Sequence, residues 1–187
     1  MSLALTCLRW LLAALLAALL LADQLFPLPP AAKAQQSTPR GVQLVLASDG
    51  TPLRAFPDGR HIWRQPVRLD EVSPRYVEAV LAYEDRFFYW HFGVNPVALL
   101  RAAGQWLWHG RIVSGGSTLS MQVARMLTPM PRSMGDRSIG NKLRQILRAL
   151  QLELHLSKKE ILEIYLLRAP MGGVLEGVEA ASRAYLG

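Results

Sequence analysis

Cysteine, acidic residues and metal-ligand patterns are all scarce in this sequence of 187 residues. The single cysteine, Cys7, excludes an intramolecular disulfide and a thiolate metal cluster. Asp and Glu number 14 against 21 Lys and Arg, and the four histidines have no metal-ligand spacing. Because 51% of the residues are apolar and only 19% are charged, the composition excludes disorder and fits one compact, basic domain.

The first 26 residues form a long apolar run. No residue from Trp10 to Ala22 is polar, and a helix that spans a bilayer needs roughly 20 apolar residues. We therefore predict a signal anchor, or transmembrane segment, at residues 1–26. A signal peptide, for which Ala32–Ala34 has the form of a cleavage site, and a buried core helix are the alternatives.

Composition divides the rest of the chain into three parts. Proline and glutamine mark residues 27–40 as a linker. Alternating apolar residues around the turn at Ser48–Thr51 predict a small β-hairpin within a lead-in at residues 41–72. From 73 to 187 the apolar spacing is helical, so we predict a mainly α domain.

Capping signals mark where the helices begin. Ser73-Pro74 and Asn95-Pro96 each place a capping side chain before a proline at the first helical position. Ser157 with Glu160 forms a capping box, which predicts a helix to about Arg168. Apolar residues from Ile139 to Leu154 recur at helical spacing and predict an amphipathic helix.

A glutamate interrupts the apolar face of the helix predicted after Ser73. Glu84 shares that face with Val80 and Leu81. Desolvation favours the neutral form of such a carboxyl group, and that is the tuning a general acid or base needs. The alternative is a buried ion pair with Arg86 or a later arginine.

Two polar features follow along the chain. Gly115-Gly116-Ser117-Thr118 leads into a helix whose first amides are able to hold a phosphate, and Thr118, Gln122 and Arg125 share a polar face of that helix. Basic residues then outnumber acidic ones from 125 to 159, which fits a pyrophosphate or an anionic headgroup. An ordinary capped helix and a solvated charged face are the alternatives.

Five segments resemble, in order, the motifs of the peptidoglycan glycosyltransferases, the lysozyme-like domain of class A penicillin-binding proteins. They are Glu84–Phe88 with His91 and Gly93, Gly115–Gln122, a segment that begins at Lys142, Lys158–Leu166, and Gly177–Gly187. These segments are most similar to the 1C subgroup. The resemblance implies a mainly α, lysozyme-like glycosyltransferase domain at 73–187, with a small N-terminal β-hairpin and a transmembrane helix.

The resemblance also implies an activity and a set of site residues. The chain would polymerise lipid II into glycan strands and release undecaprenyl pyrophosphate, with Glu84 as the general base. The implied substrate-binding residues are Arg86, His91, Ser117, Thr118, Gln122, Arg125, Lys142 and Gln145. The sequence requires no cofactor and assigns no metal ligand, whereas the resemblance allows a divalent cation, Mg²⁺ or Mn²⁺.

The implied partners are lipid II, the growing glycan strand and the membrane bilayer. Other proteins of cell-wall synthesis are further candidate partners, and nucleic acid is not expected. The implied location is the bacterial cytoplasmic membrane, with a single N-terminal anchor and the domain on the outer, periplasmic face.

The sequence departs from the family's third motif. Gln145 replaces a glutamate, so it neither carries charge nor transfers a proton, and Asn141 replaces an arginine, whose charge only Arg144 or Arg148 would restore. Glu153 lies roughly 12 Å further along the helix than Gln145. Family members also continue past residue 187. A non-catalytic remnant that binds lipid II or undecaprenyl pyrophosphate is therefore the alternative function, ahead of a hydrolase, which needs paired carboxyl groups.

Overall fold

The computed structural model describes residues 3–29, 43–111, 116–128 and 139–186, and most of them are helical. The helices are α1 (Leu3–Leu25), α2 (Pro74–Glu84), α3 (Pro96–His109), α4 (Leu119–Leu127), α5 (Ile139–His155), α6 (Lys158–Arg168) and α7 (Val178–Leu186). The strands are β1 (Gln43–Leu46), β2 (Pro52–Phe56), β3 (Trp63–Arg64), β4 (Pro170–Gly172) and β5 (Leu175–Glu176). The predicted mainly α class is confirmed.

Helix α1 contains the apolar run at the start of the chain. Its segment Leu5–Leu25 is long and apolar enough to cross a membrane, judged by length and composition. Large side chains such as Trp10 and Leu11 are exposed. A buried core helix does not fit this exposure, because such a helix covers its apolar side chains.

The predicted hairpin is confirmed, and a second small sheet joins the lead-in to the C-terminal part of the domain. Strands β1 and β2 pair antiparallel, and their turn is closed by Asp49, whose Oδ1 accepts the Thr51 amide at 2.9 Å. Strand β5 lies between β3, which is parallel to it, and β4, which is antiparallel. Arg64 on β3 forms a salt bridge with Glu176 on β5.

The core lies where α4, α5 and α6 pack together. Its fully buried large side chains include Phe88, Leu119, Met121, Leu152, Ile161, Leu162, Ile164 and Leu166. Since α4 and α6 bury apolar residues around most of their circumference, these two short helices form the centre of the domain. The side chains of the candidate site belong to these packed helices or to the segments that precede them in the chain.

Two of the predicted helix caps have the expected geometry, and a third helix begins at the predicted residue without its cap. The Ser157 and Glu160 side chains form the capping box of α6, which ends at Arg168, and the Asn95 Oδ1 accepts the Ala98 amide at 3.0 Å. Helix α2 begins with Pro74 as predicted, but the Ser73 side chain makes no capping hydrogen bond. Proline alone therefore marks that start, because its fixed φ already suits the first helical position.

The first part of the predicted linker packs against the domain. Leu28 is buried and belongs to the hydrophobic core cluster. Proline ends α1 here, and the chain after the helix stays packed on the domain. Residues 30–42 of the predicted linker lie outside the described residues.

Candidate functional site

A cleft of about 650 Å³ opens where the end of α2, the start of α3 and the N-terminus of α4 meet. The predicted site residues that line it are Glu84, Arg86, His91, Ser117 and Thr118. Tyr83, Trp90 and Arg101 line it as well. Gly115, part of the predicted phosphate-binding turn, lies outside the described residues.

Glu84 is the last residue of α2, and its half-buried side chain faces α4. The Gln122 Nε2 donates to Glu84 Oε2 at 2.7 Å. Among the described residues, Glu84 forms no ion pair within 4 Å. The alternative, a buried ion pair with Arg86, is therefore not observed. The neutral Gln122 amide orients the carboxylate without forming an ion pair with it.

Asp85 connects three parts of the site. Its buried carboxylate accepts the Leu119 amide, the first of α4, at 2.9 Å and contacts the His91 Nε2 at 2.9 Å. A carboxylate is stable there because helix N-terminal amides are unpaired and carry partial positive charge. Asp85 was not predicted from the sequence, because the two partners of the Asp85–Leu119 bond are 34 residues apart.

Thr118 and His91, both predicted to bind substrate, make internal contacts. Thr118 caps α4: its hydroxyl donates to the Gly93 carbonyl at 2.6 Å and accepts the Met121 amide at 3.2 Å. The His91 side chain is 6% exposed, and its Nδ1 is buried without a hydrogen-bond partner among the described residues. The geometry therefore supports positioning roles for these two side chains.

Solvent exposure increases along the polar face predicted on α4. Thr118 is buried, Gln122 is half-buried and Arg125 is exposed. Only Gln122 and Arg125 are thus open to a ligand along this face, while Thr118 holds the end of the helix in place.

Lys142, on α5, contacts the cleft through Ser117, one of its lining residues. Its Nζ donates to the Ser117 Oγ at 2.5 Å. Burial and the neighbouring Arg125 guanidinium lower the pKa of Lys142 from its ordinary value. Two cations held close together favour an anionic ligand, because the ligand relieves their mutual repulsion.

This lowered pKa predicts a change in activity at alkaline pH. Lys142 carries its positive charge at pH values well below its pKa and loses that charge as the pH rises through the pKa. Because the pKa is lowered, the charge is lost at a lower pH than in an ordinary lysine. For the glycosyl transfer that the resemblance implies, we expect the alkaline decline in kcat/KM to begin at a lower pH than it would for a lysine with the ordinary pKa of 10.5. Lys142→Arg should be slower at neutral pH and lack this decline, because a guanidinium stays charged throughout. A pH profile with the exposed Lys159→Arg as control checks it; an identical alkaline decline in both variants would contradict the role.

Arg148 does not supply the charge that Asn141 lacks. Its guanidinium donates to the Phe26 and Pro27 carbonyls at the end of α1, so the predicted alternative that places it in the substrate site is wrong. Asn141 and Gln145 are themselves buried. On the described part of α5, Lys142 is the cation that contacts a residue lining the cleft.

Glu153 does not substitute for the glutamate that Gln145 replaces. Its Oε1 accepts the Ser120 hydroxyl and the Lys158 ammonium, each at 2.6 Å. Lys158 in addition donates to the His91 carbonyl at 2.7 Å and lies over the Phe88 ring. This buried cluster ties α5 and α6 to the segment after Glu84.

Tyr165, a buried residue of α6, lies within electrostatic range of Glu84. Burial and the Glu84 charge raise the pKa of Tyr165 to about 12. Its phenol therefore stays protonated at neutral pH. The signal that was available is that tyrosine, unlike its apolar neighbours on α6, has a hydroxyl group that is rarely buried without a polar neighbour.

The residues around the cleft do not fit a divalent cation. Within the described ranges there is no group of three or more His, Cys, Asp or Glu side chains that would hold one. Asp85 and Glu153 are occupied by internal donors, Gln145 replaces a carboxylate, and Lys142 contributes positive charge. Hard divalent ions require several oxygen ligands, and the described side chains around the cleft do not supply enough free ones to hold an ion by themselves.

Comparison with known proteins identifies the family. A family model described as Transglycosylase matches residues 49–187. The chain is 55% identical over 166 residues to penicillin-binding protein 1C of Escherichia coli strain K12, covering 89% of this chain and 20% of that protein. It is 39% identical to penicillin-binding protein 1A of Pseudomonas aeruginosa (79% of this chain, 18% of that protein).

A third relative is the biosynthetic peptidoglycan transglycosylase of Nitrosospira multiformis, 39% identical over 65% of this chain and 51% of that protein. The fold and cleft are thus those of a glycosyltransferase class with a lysozyme-like domain. The chain belongs to the transglycosylase family, and the predicted resemblance is confirmed. It spans about a fifth of the length of its penicillin-binding protein relatives.

Proposed function

We propose that this chain is a membrane-anchored peptidoglycan glycosyltransferase that polymerises lipid II into glycan strands and releases undecaprenyl pyrophosphate. The observation that carries the proposal is that Glu84, held by Gln122, lines the same cleft as Ser117, whose hydroxyl accepts a hydrogen bond from the Lys142 ammonium. Transfer of a sugar from a pyrophosphate needs a base on one side and a cation on the other.

The reaction follows from these two groups. Glu84 takes the proton from the 4-hydroxyl of the acceptor sugar as that oxygen attacks the anomeric carbon of the donor. The bond from that carbon to the pyrophosphate oxygen breaks, with inversion, and its electron pair leaves with undecaprenyl pyrophosphate. Lys142 and Arg125 stabilise the negative charge that develops on the leaving group.

The location follows from α1 and from the substrate. A lipid-linked donor stays in the bilayer, so its transferase works at the membrane surface. Helix α1 is long and apolar enough to act as the anchor. We propose the outer, periplasmic face of the bacterial cytoplasmic membrane, with lipid II, the growing strand, the bilayer and other proteins of cell-wall synthesis as partners.

A non-catalytic remnant that binds lipid II or undecaprenyl pyrophosphate is the second candidate. It is favoured by the buried Gln145 and Asn141, two neutral amides where the family's third motif has charged side chains. Such a protein would keep the cationic side of the cleft and lose turnover.

Polymerisation of labelled lipid II separates the two candidates. The full chain in detergent is incubated with lipid II, the polymer is resolved on a gel, and lipid II binding is measured in parallel. We expect polymer together with released undecaprenyl pyrophosphate. Binding without polymer would replace the proposal with the remnant, and the absence of both would refute both candidates.

A further inference from the structure

The last turn of α1 and the residues after it lie on the C-terminal half of α5. His155 Nε2 is 2.7 Å from Asp23 Oδ2, and Gln151 Nε2 donates to Asp23 Oδ1 at 3.1 Å. Leu28, just past the end of α1, is buried in the core cluster. The chain therefore leaves its apolar helix directly into contact with the folded domain.

Arg148 makes two hydrogen bonds across this contact and a third within α5. Its Nη1 donates to the Phe26 carbonyl at 2.6 Å, to the Pro27 carbonyl at 3.1 Å and to Gln151 Oε1 at 3.0 Å. Gln151, itself buried, donates to the same Phe26 carbonyl at 3.1 Å. Carbonyls at a helix C-terminus lack intrahelical donors and favour a cation, so side chains of α5 cap α1.

The same helix contributes to the substrate site. Lys142 lies on α5 roughly 9 Å along the axis from Arg148. The helix between them is continuous and packs on α4, which contributes Gln122. One rigid helix therefore connects the contact with α1 to the cleft. If α1 moved relative to the domain, the position of the cleft relative to α1 would change.

We propose that Arg148, Asp23 and Gln151 are positioning residues. They hold the cleft at a fixed distance from the bilayer surface and in a fixed orientation to it. This inference rests on the proposed function, since it concerns how a lipid-anchored pyrophosphate reaches the site. The 23 residues of α1 rise about 34 Å, close to the roughly 30 Å of a bilayer's hydrocarbon core. A docked α1 thus defines where the membrane surface lies relative to Glu84 and Lys142.

The docking is tested independently of activity by a distance measurement. Cys7, the one cysteine of the chain, is exposed on α1, and Lys159→Cys adds a second spin-label site on the domain. In nanodiscs we expect a single narrow distance distribution, which Arg148→Ala with Gln151→Ala should broaden and Arg75→Ala, at an exposed position on α2, should not. A broad distribution without these substitutions would overturn the docking.

The positioning role is tested by comparing two forms of substrate. Rates are measured on lipid II in liposomes and on a short-chain lipid II analogue in detergent. The Arg148→Ala, Gln151→Ala variant should lose about 10-fold on liposomes and keep its rate on the analogue, and Arg148→Lys should recover part of the loss. An equal loss on both substrates would overturn positioning in favour of a general structural role. If the unsubstituted chain polymerised neither substrate, the proposed function would fail while the distance distributions still decided the docking.

Discussion

Glu84→Gln should abolish polymerisation while leaving lipid II binding intact. Glutamine has nearly the same shape as glutamate, and its carbonyl oxygen can still accept the Gln122 amide that now contacts Glu84 Oε2 at 2.7 Å. It cannot take a proton from the acceptor hydroxyl. Loss of a general base lowers rates by about 10²–10⁴-fold, and we expect about 10³-fold in kcat with little change in the Kd for lipid II.

A matched control separates the base from a generic charge effect. Glu78 lies on the same helix, α2, and is exposed, so Glu78→Gln removes one negative charge without touching the cleft. It should polymerise at the original rate, as followed by the gel assay. A Glu84→Gln variant that retained a tenth or more of the activity would show that Glu84 is not the group that removes the proton.

Local features of the sequence predicted much of the fold. The capping box at Ser157, the Asn95 cap and the apolar spacing of α5 act within one or two helical turns, so they are visible in the chain itself. The same holds for Glu84, whose place on an apolar helix face follows from periodicity. Where a helix begins and which face it buries were therefore predictable.

The network that holds the site together was not predictable in this way. Asp85 bonds the first amide of α4, and Arg148 caps α1 from more than a hundred residues away. Both contacts satisfy backbone groups at helix ends, and any polar side chain of suitable reach could satisfy them. Sequence shows that such groups need partners, but only the fold decides which residue becomes the partner. The family resemblance implied that Thr118 and His91 contact the ligand, whereas their geometry supports positioning.

Gly93→Ala should destabilise the domain and disrupt the cleft together. Gly93 has φ +71°, and a Cβ at this position would lie 2.8 Å from the Ala149 carbonyl oxygen and 2.9 Å from its carbon. Both are backbone atoms of α5 that no rotamer change can move away. The left-handed conformation costs about 1–2 kcal/mol for alanine and overpacking about 1–3 kcal/mol, so we expect a loss of about 2–5 kcal/mol.

The effect should reach the site because the Gly93 carbonyl accepts the Thr118 hydroxyl that caps α4. Gly104→Ala is the matched control: Gly104 lies inside α3 with open space where its Cβ would be, so alanine there should stabilise by about 0.5–1 kcal/mol. Denaturant unfolding in detergent, followed by circular dichroism, compares the two. Equal free energies of unfolding for the two variants would mean that the segment after Glu84 is not held against α5, and the cleft would then lack the rigid wall on which both its base and its cation depend.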